Sequence, residues 1–233
     1  MIPARFQPVL DELAPLSERF RAAGHRLYLV GGTVRDLLSG AAPDAPGGEL
    51  ADFDATTDAR PDEIKLLLRG WADAIWTQGE RFGTIGAKKH GPHGDRVYEI
   101  TTHRVEAYHD TSRKPDVVFG DQIEVDLSRR DFTVNAMALE LTADSPTLVD
   151  PHGGAVDLLT RTLRTPLAPE VSFGDDPLRM LRAARFIAGL QATPVPELVA
   201  AVTAMKGRLE IVSAERIRDE LDKLMTLPHP TAG

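Results

Sequence analysis

A mixed α/β domain followed by a smaller all-helical one is the fold class that this sequence predicts. Up to about residue 165, short apolar runs bounded by Gly, Pro and Asp alternate with stretches of helical period. From about Gly174 onward the pattern is helical only, at 174–190, 196–207 and 213–227. A mixed pattern giving way to an all-α one predicts two domains, 1–165 and 166–233.

The elements follow in order. Phe6, Val9, Leu10, Leu13, Leu16 and Phe20 recur at helical spacing, and Gly24 is a natural stop. Leu27–Val30 reads as a short buried strand, broken by Gly31-Gly32. Val34–Ser39 then begins a helix that Gly40 ends. Residues 41–49, rich in Ala, Pro, Gly and Asp, read as an irregular loop. A strand over Asp52–Thr56 precedes a helix from Pro61 to Arg69, with Pro at the favourable first position. Ala74–Thr77, Thr84–Lys88 and Val97–His103 are strand-like, and the last two flank a Gly- and Pro-bearing hairpin loop. Residues 105–116 are polar and interrupted, which predicts a mobile segment. A helix over Phe132–Ala138 and a strand over Leu139–Leu141 come next, and Gly153-Gly154 opens another turn.

Composition excludes several classes. No run approaches the roughly 20 apolar residues of a membrane span, and the N-terminus lacks a signal-peptide core. The absence of cysteine excludes disulfides and thiolate metal sites and fits a cytoplasmic protein. A net charge of −8 argues against a broad basic nucleic-acid surface. Residues 166–233 are nearly balanced, so the acidic excess lies in the α/β part. The seven histidines form no His-Glu-x-x-His pattern, and a zinc site is not expected. Nothing in the sequence sets an oligomeric state.

That α/β part holds the residues with the clearest chemistry. On an extended strand Asp52 and Asp54 share one face while Phe53 points into the core. Two carboxylates that close repel, and a hard divalent cation between them removes the conflict, which points to chemistry on phosphates. Taken alone, the pair also describes a solvated strand end. Gly31-Gly32, between a strand and a helix, lets backbone approach a ligand and offers helix N–H groups to phosphate oxygens. A plain tight turn would look the same.

Together, Leu29-Val30-Gly31-Gly32-x-Val34-Arg35-Asp36 and Asp52-x-Asp54 resemble the first motif of the class II tRNA nucleotidyltransferase and bacterial poly(A) polymerase superfamily. Four further motifs resemble the family's in order. They are Arg129-Arg130-Asp131-Phe132-Thr133-x-Asn135-Ala136, Asp150-Pro151-x-Gly153-Gly154-x-x-Asp157, Phe173-Gly174-Asp175-Asp176-Pro177-Leu178-Arg179-x-x-Arg182-x-x-Arg185, and Ser213-x-Glu215-Arg216-Ile217-x-x-Glu220. The resemblance spans about residues 26–225. It implies a polymerase-β-like nucleotidyltransferase head, with a mixed sheet flanked by helices, followed by a helical neck.

It also implies roles. Asp52 and Asp54 would be shared ligands of two Mg²⁺ ions. Glu99, on a neighbouring strand, is the candidate third carboxylate, although a cross-strand polar residue without metal contact reads the same way. Gly31, Gly32 and Arg35 would serve the nucleotide's phosphates. Arg130, Asp131 and Asn135 belong to the family's sugar-selecting motif, with Asp131 opening a helix as its N-cap. Asp176 and Arg179, three apart and therefore on one helix face, pair an acceptor with a donor. Such a pair matches the edge shared by cytosine and adenine, and the family reads those bases this way; without the resemblance it is an ordinary surface ion pair. Arg182 and Arg185 of the same motif join the nucleotide-binding set. The motif carries Asp175 where Glu is commoner, which shortens a bracing side chain by one methylene. Arg104–Pro115, with Glu106, Tyr108, Asp110 and Arg113, matches the family's flexible loop and favours full CCA addition.

The expected activity is Mg²⁺-dependent, template-independent addition of CCA to tRNA 3′ ends from CTP and ATP. Alternatives are addition of CC, of A or of a poly(A) tail, or a non-catalytic nucleotide-binding or partner-dependent module of the same fold. The family continues into helical body and tail regions that grip tRNA. This chain ends at Pro230-Thr231-Ala232-Gly233, so weak tRNA binding is expected, and no membrane partner.

Overall fold

The computed structural model describes residues 3–40, 52–91, 94–107 and 116–233. The loop expected at 41–49, and Tyr108, Asp110 and Arg113 of the expected flexible loop, lie outside them. The chain forms two compact units that it enters alternately. The first comprises Met1–Leu127 and Met137–Pro151, and the second Ser128–Ala136 and His152–Gly233.

In the first unit, helix α1 (Gln7–Ala22) leads to strand β1 (Leu27–Val30), helix α2 (Gly32–Ser39), strand β2 (Phe53–Thr57) and helix α3 (Pro61–Leu68). Strands β3 (Ala74–Trp76), β4 (Thr84–Gly91) and β5 (Gly94–Thr102) follow. Then come the hairpin β6 (Arg104–Ala107) and β7 (Asp116–Phe119), helix α4 (Ile123–Ser128), and strands β8 (Ala138–Glu140) and β9 (Thr147–Val149). Seven strands make one sheet in the order β3-β4-β5-β2-β1-β8-β9. Every neighbouring pair is antiparallel except β2 and β5, which run parallel.

Register separates the two faces of this sheet. Leu139, Leu29, Ala55, Ile100 and Ile85 lie side by side across five strands, all buried. On the same face Tyr98 stacks near Phe53 at 5.4 Å and meets Trp71 edge-on at 4.9 Å. Helix α1 seals this side through Glu12, which accepts from Arg96 Nε at 2.9 Å and Tyr98 Oη at 3.3 Å. Because side chains alternate, the opposite face carries Asp54, Thr56, Glu99 and Thr101.

The second unit contains α5 (Gly154–Thr160), β10 (Thr162–Leu163), α6 (Pro169–Asp175), α7 (Arg179–Leu190), β11 (Thr193–Pro194), α8 (Pro196–Met205) and α9 (Ala214–Met225). Its core packs Phe132 and Val134 against Leu163, Phe173, Met180 and Phe186, with Phe132 edge-on to Phe186 at 5.3 Å.

Two expectations are corrected here. Phe132–Ala138 is not an α-helix, since only Thr133–Asn135 form a 3-10 turn before β8. Side chains take over the backbone's helical partners: Asp131 Oδ1 accepts from Phe132 N at 2.8 Å, and Thr133 N donates to Arg164 O at 2.9 Å. Nor is 174–190 one helix. Pro177 disfavours helical backbone at the residue before it, and Asp176 is extended at φ −139° and ψ 101°, separating α6 from α7.

Candidate active site

The carboxylates lie on the polar face of the first unit's sheet. Parallel pairing of β2 with β5 sets Asp54 directly opposite Glu99, and Phe53 is buried at 2% exposure, as alternation requires. Asp52 stands just before β2, exposed like Asp54 and Glu99. Although the residue is exposed, partial loss of water around the Glu99 carboxylate pushes it above its ordinary pKa, and the charges of Asp54 and Asp52 add to this. Both aspartates therefore act on Glu99 at one end of the sheet. Among the described residues no three His, Asp or Glu side chains already stand arranged around an ion position. The donor set nevertheless fits a hard divalent cation, because it is all oxygen and carries the mutual repulsion that a cation relieves.

The glycine turn lies at that same end. Leu29 pairs with Ala55 antiparallel, so the chain leaving β1 at Gly31 runs beside the residues entering β2. Gly31 adopts φ 73°, a conformation that glycine tolerates, and it caps the N-terminus of α2. Arg35 folds back beside Gly32, where a Cβ would lie 3.5 Å from its Nη2. It also grips Asp36 through two bonds of 2.8 and 3.1 Å.

The remaining candidates belong to the second unit. Asp131 is 8% exposed and accepts four hydrogen bonds. Oδ1 takes Phe132 N at 2.8 Å and Asn135 Nδ2 at 3.0 Å, while Oδ2 takes Arg182 Nε at 2.9 Å and Nη2 at 2.5 Å. A carboxylate has about four acceptor positions, and here they are used within the protein. Burial works to raise its pKa, but Arg182, Asn135 and the Phe132 N–H together hold it below the usual carboxylate range. Arg182 reaches on to Glu220 at 4.0 Å, and Arg185 Nε bonds Glu220 Oε1. Glu220 is the one residue of α9 that is buried.

Asp176 and Arg179 do not share a helix face, since the chain breaks between them. Asp176 caps its own turn through Leu178 N at 3.2 Å and accepts Arg216 Nη2 at 2.9 Å. Arg179 donates to Ser172 Oγ at 2.8 Å and to Arg129 O at 2.6 Å. Each of the two is thus held in place by a different partner. Arg130 stands half-buried next to Asp131 in sequence. Sequence reasoning missed the partners on α9. Arg216 and Glu220 stand four apart on one helix, which signals a shared face, but nothing in the sequence says which charges that face meets.

Comparison with known proteins places the chain in a family. The family described as Poly A polymerase head domain matches residues 27–164, and the one described as Probable RNA and SrmB-binding site of polymerase A matches residues 193–233. A CCA-adding enzyme of Bacillus subtilis is 40% identical over 220 residues, covering 94% of this chain and 51% of the relative. A solved CCA-adding enzyme of Bacillus stearothermophilus in complex with CTP superposes with a TM-score of 0.77 at 31% identity, covering 97% of this chain and 50% of that one. The Thermotoga maritima CCA-adding enzyme complexed with tRNA_CCA gives 0.73 at 27% identity, with coverages of 99% and 50%. The chain spans about half the length of the curated relatives it matches. The head-domain match covers more than half of the chain and holds the whole carboxylate-bearing sheet, so the chain belongs to the poly(A) polymerase head-domain family.

Proposed function

We propose that this chain carries the catalytic and base-selecting parts of a Mg²⁺-dependent, template-independent RNA nucleotidyltransferase, one that adds C, C and A to tRNA 3′ ends from CTP and ATP. The observation that carries the reading is the pairing of Asp54 with Glu99 on parallel strands, with Asp52 beside them, in a head-domain family member. Asp52 and Asp54 would hold two Mg²⁺ ions. When bound, these supply activation of the primer 3′-hydroxyl and neutralisation of charge on the α-phosphate. Gly31, Gly32 and Arg35 receive the triphosphate at the N-terminal end of α2.

In the second unit Asp176 offers an acceptor and Arg179 a donor to the base edge. Arg216 orients the first, and Ser172 with the Arg129 carbonyl orients the second. Asp131 works through its neighbours, fixing Asn135 and Arg182 around the sugar position while its own oxygens stay engaged. Glu220 holds Arg185 and Arg182 from α9. We assign catalysis to residues 1–165 and base selection to 166–233, with 128–136 and 152–165 packing in the same unit as the latter. No helix of the described residues is long and apolar enough to cross a membrane, and with no cysteine we place the protein in the cytoplasm.

The test uses tRNA transcripts ending before CCA, after C or after CC, each incubated with one labelled nucleotide and Mg²⁺. Sequential incorporation of C, C and A, abolished in Asp54→Ala, is the expected result. Incorporation equal to that of Asp54→Ala would refute enzymatic function, and incorporation of only C or only A would reassign the product. With a net charge of −8, affinity for tRNA is expected to be weak, and a sub-micromolar Kd at physiological salt would contradict that.

A further inference from the structure

Register carries the carboxylate row two strands beyond Glu99. Glu99 pairs with Gly86 on β4, and Gly86 pairs with Trp76 on the edge strand β3. Residues paired in this way point to the same face. Asp54, Glu99, Gly86 and Trp76 therefore form one line across four strands.

The indole of Trp76 lies on the Gly86 backbone. A Cβ added at Gly86 would stand 2.0 Å from Nε1 and 2.1 Å from Cε2 of that ring. Gly86 is buried as a result, although it lies on the polar face, while Trp76 remains partly exposed. One face of the indole is thus seated on peptide. Neighbouring strands are about 4.8 Å apart, which puts this platform one strand from Glu99 and about 10 Å from Asp54. The other tryptophan, Trp71, is the ordinary core residue, 6% exposed and edge-on to Tyr98 across the opposite face.

We propose that Trp76 is the stacking platform for the terminal base of the RNA 3′ end that the carboxylates extend. The inference rests on the nucleotidyltransferase reading above. An aromatic ring held against backbone meets any base by its π-face, without regard to sequence. A primer that ends in nothing, in C or in CC needs such tolerance. The incoming base is assigned to Asp176 and Arg179, whose charges discriminate. The terminal nucleotide of the primer is different: its 3′-hydroxyl must come to Asp52 and Asp54, and its base then falls within a nucleotide's width of them.

The experiment follows tryptophan emission in the full chain during titration with a short single-stranded RNA ending in CC, and separately with CTP or ATP. Trp71 is shielded, so acrylamide quenching reports Trp76. RNA, and not nucleotide alone, is expected to change Trp76 emission and to protect it from acrylamide. Trp76→Ala should weaken RNA binding roughly tenfold, with the KM for CTP unchanged and most of the loss restored in Trp76→Phe. Gly86→Ala, which displaces the ring without removing it, should reproduce the loss while its far-UV circular dichroism stays that of the wild type. If CTP alone quenches Trp76 and the KM for CTP takes the loss, the ring serves the incoming nucleotide and the inference is overturned. Extension of RNA with no response at Trp76, or an unchanged RNA Kd in Trp76→Ala, overturns it as well. A wild-type chain that neither binds nor extends RNA overturns the functional reading first.

Discussion

At the scale of the residue, two carboxylates with opposite pKa shifts mark opposite designs. Glu99 is raised by partial loss of water and by Asp54 and Asp52, so its charge is unfavourable in the folded chain at neutral pH. A group bound more tightly to its proton when folded adds stability only as pH falls through the folded pKa. Glu99→Gln is therefore expected to raise the Tm at pH 7 without metal, and the gain should shrink toward pH 4. Excess Mg²⁺ should raise the Tm of the wild type and leave Asp52→Asn/Asp54→Asn unmoved. Equal shifts in both proteins would remove the pair as the cation site.

Asp131 is the reverse case. Its depressed pKa contributes stability above the unfolded carboxylate value, and that contribution is lost as pH falls through the folded one. Breaking a buried pair strips a charge of its nearest partner, here leaving Arg182 only Glu220 at 4.0 Å. Asp131→Asn should destabilise by about 3–5 kcal/mol at pH 7, with the difference closing below about pH 4. Urea titrations at the two pH values measure it.

At the scale of the element, Pro177 sets the geometry of Asp176 and Arg179 by interrupting a helix. Asp176 leaves α6 in an extended conformation, and its Oδ2 meets Arg216 of α9. Arg179 opens α7 and turns to Ser172. Pro177→Ala removes the restriction on Asp176 and is expected to weaken discrimination of CTP and ATP against UTP and GTP. Arg216→Ala should have a similar consequence, a loss of roughly tenfold in that ratio, because a charge-assisted bond fixes the acceptor oxygen. Misincorporation assays with single nucleotides read both. An unchanged ratio in Arg216→Ala would leave that arginine a surface ion pair.

At the scale of the whole molecule, the helical part does not begin where its helices do. Phe132, Val134 and Leu163 precede residue 166, yet they pack with Phe173, Met180 and Phe186. A truncation to residues 1–165 would expose these three side chains. It should bind an exposed-hydrophobe dye and lose cooperative unfolding, whereas the full chain should unfold cooperatively. Cooperative unfolding of 1–165 would show that those side chains find another partner.

Much of this was legible from residue order. Strand and helix positions in the first half follow from apolar period and from glycine and proline punctuation, because those signals act within a few residues. Asp52-x-Asp54 was legible as a pair for the same reason, since alternation along a strand is local. The helix expected at 132–138 was not. Asp131 and Thr133 meet Arg182 and Asp157 far along the chain, and those bonds outweigh local helical preference. The i,i+3 reading of Asp176 and Arg179 failed for a local reason that was visible in the sequence, namely the proline between them.

Sequence by itself determined the fold class, the family motifs and the chemical types available, because each depends on periodicity, spacing or side-chain identity. Only tertiary structure decided which side chains meet. Parallel pairing of β2 with β5 sets Glu99 against Asp54 across 45 positions. Packing of α9 joins Glu220 to Arg185 and Arg216 to Asp176, and the edge strand lays Trp76 over Gly86. Those meetings are set by strand register and by burial of charges that must find partners. Neither is encoded within any one stretch of the chain.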